Sequence, residues 1–190
     1  KVAELVDNDS AICRGILIEG SLVAANSSVL NVYGSWSQST SLSFNSGLSN
    51  TRFVGANQDI STAVFGNITI AGTGKKTFSG EIQVNGNINI NTNATLELNN
   101  FQHTLKGNWE NQGTISPSAS TVIFSKSGTA TFVGNSQLYN LTVADGTTLQ
   151  IQSGDTATYL NNLLEPGYIA WTIRRSHIVS STIEFYSFGN

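Results

Sequence analysis

Twelve acidic side chains are scattered through this chain of 190 residues, and only Glu4, Asp7 and Asp9 lie close together. Cleaving a glycosidic bond takes a pair of carboxylates, and a calcium-assisted lyase takes a carboxylate cluster with a basic proton acceptor. If the chain stacks in coils, Glu81 and Glu97 are about one coil apart and could approach each other. Glu97, however, sits between Leu96 and Leu98, which is the pattern of an outward strand residue in water. His103 and His177 are far apart, lack metal-ligand company, and read as structural. The stretch AGTGKKT, residues 71 to 77, resembles a phosphate loop but lacks its first glycine. Lys75 and Lys76 therefore read as a solvated turn. Thr129, Thr131, Thr147 and Thr148 would order water only if Thr-x-Thr recurred on successive coils, and it does not. The sequence thus points to no catalytic residue, no cofactor and no metal site, and the expectation is a chain that is not an enzyme.

Binding is the other chemistry to weigh. Sugars are held by exposed aromatic rings with amides and hydroxyls beside them. Trp36 and Trp109 each follow Gly-x and precede polar runs, so both are candidate glycan contacts. Packing inside the fold is the simpler account of their recurrence. The Asn-x-Ser/Thr sequons at Asn26, Asn67, Asn93 and Asn140 read as repeat corners rather than glycosylation sites. Cys13 is the sole cysteine; flanked by Ile12 and Ile16, it reads as a small buried apolar residue.

The composition restricts what surrounds these residues. Charged residues are 11% of the chain, against about 25% in ordinary soluble domains. About 80 positions are Asn, Ser, Thr or Gly, so the surface is hydrated by amides and hydroxyls. Net charge is −3, which gives no basic footprint for nucleic acid or anionic lipid. No apolar run approaches the length of a membrane span. The chain lacks Met and a charged leader, and reads as a mature product or an excised fragment.

The elements that must position these residues are strands. Helix periodicity is absent. Short alternating runs recur at Ile16–Ile18, Val29–Tyr33, Arg52–Val54, Val64–Ile70, Ile82–Ile90, Thr95–Leu98, Thr121–Phe124, Thr131–Val133, Leu138–Val143 and Thr148–Ile151, separated by turn residues. Gly66-Asn67-Ile68-Thr69-Ile70 returns as Gly86-Asn87-Ile88-Asn89-Ile90, 20 positions on. Trp36 and Trp109 are separated by 73 positions, as are Asn67 and Asn140. These repeats predict an all-β fold, a right-handed parallel β-solenoid with coils of about 18–24 residues, in which Asn residues at corners adopt left-handed backbone and ladder their amides. The 73-residue phrase would then span three or four coils. The alternative is an antiparallel β-sandwich, whose best support is Asn85-Gly86 between two alternating runs. Residues 1–162 are expected to form the coils with an N-terminal cap. Residues 163–190 are expected to form a C-terminal cap or begin a following β module with an antiparallel segment.

The phrases LNVYGSWSQS, LKGNWENQGTI, STVIFSKSGTATFVGNSQLYNLTVADGTTLQIQSG and EPGYIAWTIRRS resemble the repetitive secreted and cell-surface β-solenoid proteins of Bacteroidetes. Those pair a Gly-x-Trp strand with a Gly-Thr-Phe-type strand, then a Val-x-Phe-x-Gly run and an aromatic-Asn-Leu-Thr-Ile strand. Here the elements are Gly107–Trp109, Gly113–Ile115, Val122–Phe124 and Tyr139–Val143. The resemblance covers roughly Asp7 to Phe188. It implies a parallel β-helix in an exported protein on the outer surface of a Gram-negative bacterium, a type IX secretion substrate or gliding-type adhesin. The sorting domain expected in such substrates is not visible, and no catalytic residues come with the resemblance. Its implied partners are export machinery and surface glycans or proteins. The expected role is a stalk or adhesive module; the alternatives are a β-helix polysaccharide lyase or hydrolase, and a self-contained carbohydrate-binding domain.

Overall fold

The computed structural model describes residues 2–5, 8–38 and 44–171. They contain strands and turns and no helix. Each strand pairs in parallel with the strand about one coil away, never with its sequence neighbour. The result is a right-handed parallel β-solenoid, the hand that crossover connections between parallel strands adopt.

Three faces enclose the core. The long face holds nine strands, from Ser10–Cys13 through Asn67–Ile70 and Ile88–Ile90 to Tyr168–Trp171, and so counts eight turns. The short face holds six, from Ile16–Ile18 to Thr114–Ser116. The third face is split. Its first ladder joins Val2–Leu5, Ser21–Ala24 and Phe44–Asn45; its second runs from Ala63–Phe65 to Ala157–Leu164. The turn length varies from 17 positions, Asn50 opposite Asn67, to 24, Trp36 opposite Ile60. Inward residues nevertheless stay stacked, because parity along each strand is kept.

Alternation explains the core. In Asn67–Ile70 the inward residues Ile68 and Ile70 are fully buried, and the same positions of the next coils are Ile88 and Ile90, then Trp109 and Asn111. Aromatics fill the wider sections. Trp36 meets Phe44 edge-on at 4.9 Å and Phe65 at 5.0 Å between ring centroids, and Trp109 stacks on Phe132 at 6.0 Å. Such pairs add to area burial by about 0.5–1.5 kcal/mol each.

The expected run Ile82–Ile90 is not a hairpin. Ile82–Val84 belongs to the third face and Ile88–Ile90 to the long face, with Asn85-Gly86 turning the corner between them. The run Val64–Ile70 divides likewise at Gly66. The sandwich alternative loses its support here. Gly107 sits directly over Gly86: a Cβ on it would collide with the Gly86 carbonyl oxygen, as one on Gly86 would collide with Asn67 Oδ1. Glycine is required there by the close approach of stacked coils.

The corner amides do ladder. Asn67 Oδ1 accepts the backbone N–H of Asn87 at 2.8 Å, Asn87 Oδ1 that of Asn108 at 2.9 Å, and Asn108 Oδ1 that of Thr131 at 3.0 Å. Left-handed backbone falls elsewhere, at Asn93 and Asn99 among others, so laddering and left-handed geometry are separate duties. The 73-residue offset is no whole number of coils. Trp36 lies on the short face and Trp109 on the long one, while Asn67 begins a long-face strand and Asn140 sits in Ser136–Val143 on the third.

After Ser116 the cross-section changes. Ser136–Val143 and Ala157–Leu164 run through the former corner between short and third faces as strands of eight residues, with a register shift between Leu138 and Asn140. The expected boundary at 162/163 falls inside the second of these strands. Leu163–Leu164 and Tyr168–Trp171 continue the parallel stack, so the expected antiparallel segment does not begin there. Residues 172–190, including His177 and Glu184, lie outside the described residues.

Candidate functional site

Two columns of outward side chains run along the axis of the third face. In the strands Ala63–Phe65, Ile82–Val84 and Gln102–Leu105, the inward positions are taken by Ala63 and Phe65, Ile82 and Val84, His103 and Leu105. Alternation then turns Val64, Gln83 and Thr104 outward, and the register places them on successive rungs. Two residues earlier on each rung stand Thr62, Glu81 and Gln102. Between and around the columns lies an open groove of about 340 Å³, which Gln38 also lines. Its polar groups are amides, hydroxyls and the single carboxylate of Glu81. Val64 is 41% exposed and gives its column an apolar surface. Gln83 Nε2 donates to Asn85 Oδ1 at 2.8 Å, which fixes the side chain and leaves its Oε1 as an acceptor.

Beneath this face the packing is less uniform. His103 is buried, accepting the Ile82 N–H on Nδ1 at 3.3 Å and facing the Leu98 carbonyl with Nε2 at 2.8 Å. Those partners place the proton on Nε2. Burial holds its pKa below the ordinary histidine value, against the opposing pull of the Leu98 carbonyl and the Glu81 charge. The ring borders an apolar cavity of about 20 Å³ with Phe78, Val84 and Trp109. The structural reading of His103 accords with this geometry.

The sequence-predicted sites fall as follows. Trp36 and Trp109 are 1% and 2% exposed, so neither indole offers a face to a sugar, and the candidate glycan contacts are corrected to core packing. Trp109 Nε1 donates to Ser136 Oγ at 3.0 Å. Glu97 is on the short face, paired with Lys75 and accepting from Thr77 Oγ1 at 3.2 Å; these bonds hold its carboxyl below the usual range. Glu81 lies in the groove, so the two carboxylates belong to different faces. Asp7 is outside the described residues, and nothing is described of the Glu4 side chain. Lys75 is exposed as expected, but Lys76 is not a solvated turn residue: it is fully buried, with Nζ donating to Thr73 O at 2.9 Å. Cys13 is half-buried, its Sγ 3.6 Å from Asn31 O, and burial raises its thiol pKa. Among the described residues no group of three His, Cys, Asp or Glu side chains is placed to hold a metal, and no helix is long and apolar enough to cross a membrane.

The sequence reading missed the groove. Its signal was available: Thr62, Glu81 and Gln102 are 19 and 21 positions apart, each just before an inward apolar or aromatic residue. Comparison with protein-family models, with curated proteins and with solved structures finds no match.

Proposed function

We propose that the chain is a structural and adhesive module of a larger secreted or cell-surface bacterial protein, which it extends and displays while its polar faces engage surface glycans or proteins. The observation that carries this reading is the parallel stack, continuous along the nine strands of the long face. Eight turns at the spacing of neighbouring strands give a rod of about 40 Å. The rod's outer columns are mostly amides and hydroxyls with little charge. A groove with one carboxylate favours binding over the two-carboxylate cleavage of the enzyme alternative. The likeness to Bacteroidetes surface proteins supplies the setting: export to the outer surface of a Gram-negative cell, with the export machinery as a transient partner.

The test is the intact mass of the protein made by its native host, with terminal peptides identified. A species of hundreds of kilodaltons containing this chain is expected. A species near 20.2 kDa would end the display reading and leave a self-contained domain.

A further inference from the structure

We propose that the third-face groove is a binding site for a linear, uncharged glycan lying along the solenoid axis. The inference rests on the glycan-engaging part of the reading above and assigns it a place, which Trp36 and Trp109 cannot provide.

Three observations converge on it. The polar lining repeats with the coils: Thr62, Glu81 and Gln102 form one rail, and Val64, Gln83 and Thr104 the other. Successive rungs are about 4.8 Å apart, close to the advance per sugar in an extended hexose chain, so one rung can serve one sugar. The groups are the right kind. Amides and hydroxyls both donate and accept, as sugar hydroxyls do, and Val64 offers an apolar surface to the C–H face of a ring. The volume of about 340 Å³ is that of a small-ligand cleft. The charge selects. Glu81 is the lone charged group in the lining, and no Lys or Arg joins it, so uronate or sulfated chains meet repulsion without a counter-charge.

The experiment is a titration of the isotopically labelled chain, followed by amide NMR shifts, with cellohexaose, laminarihexaose and mannohexaose, and with hexagalacturonate as the acidic contrast. The expected result is saturable shifts at residues 62–64, 81–83 and 102–104 with a neutral hexamer, and none with the acidic one. Gln83→Ala and Gln102→Ala each weaken binding about three- to tenfold, the loss of one neutral hydrogen bond. Val64→Trp, an outward substitution that fills the groove, abolishes it while leaving the rest of the spectrum unchanged. Glu81→Lys brings in the acidic hexamer. Shifts confined to the long or short face, or no groove shift with any neutral hexamer, overturn the assignment. The intact-mass result judges the display reading separately: a long native protein with a silent groove keeps the stalk and loses the site. A native protein near 20.2 kDa with a responsive groove does the reverse.

Discussion

Lys76 shows how strictly parity governs single residues. It stands two positions before inward Phe78 in the strand Lys75–Phe78, so the strand turns it into the core. Its register neighbours are Gln58 on one coil and Leu96 on the next. Gln58 is also buried but well partnered, accepting from Gly55 N and donating to Val32 O and Gly34 O. Lys76 Nζ donates to the Thr73 carbonyl, and burial lowers its pKa. A folded-state pKa below the unfolded value means that the unfolded chain binds more protons in the pH window between the two values, just below the ordinary lysine range. Stability therefore rises as pH climbs toward the ordinary lysine range. Lys76→Met removes this penalty and the pH slope with it. The expected gain at neutral pH is about 1–3 kcal/mol, read as a higher midpoint in urea unfolding at unchanged slope. A lower midpoint would mean that the Thr73 bond outweighs the desolvation of the amine.

At the scale of elements, corners matter more than strands. Asn67 and Asn87 each accept the N–H of the corner Asn one coil on, and Asn108 accepts that of Thr131 within the strand Gly128–Val133. Asn87→Ala orphans the Asn108 N–H and is expected to cost about 1–2 kcal/mol. Gly107→Ala forces the coils apart and should cost more, through backbone collision. Equal, negligible effects in thermal unfolding would show that water replaces the ladder and that the corner is looser than its spacing. The corners also explain what the sequence made legible. The 20-residue step from Gly66-Asn67 to Gly86-Asn87 was a true coil, because it pairs corner with corner on the same face. The 73-residue step was not, because Gly-x-Trp marks a bulky inward residue after a turn, and turns occur on every face. Asn85-Gly86 misled for a related reason: hairpins and coil corners both need small residues at a sharp turn, and only the partner strand distinguishes them. Tryptophan orientation and the groove were hidden because both depend on which residues share a rung, a relation set by coils of unequal length.

At the scale of the molecule, the stack behaves as a one-dimensional array whose coils gain stability from neighbours on both sides. The burial gradient follows. Ile68 and Ile70 in the middle are fully buried, while Ala11, Cys13 and Ile16 in the first coils, and Leu163 and Ile169 in the last, are only partly so. The change from three corners to a continuous bulged strand after Ser116 adds a second asymmetry, since Ser136–Val143 and Ala157–Leu164 share a longer ladder than any earlier pair on that face. Hydrogen exchange should therefore map stability along the axis. Amides of Asn67–Ile70 and Ile88–Ile90 are expected to exchange slowest. Those of Ser10–Cys13 should exchange at least about tenfold faster, the effect of roughly 1.4 kcal/mol of local opening. Tyr168–Trp171 should fall between them, because the long ladder of the preceding strands supports it. Uniform protection along the long face would sink this picture, since it would require all coils to open together, and the rod would then be a single cooperative unit rather than a stack of neighbours.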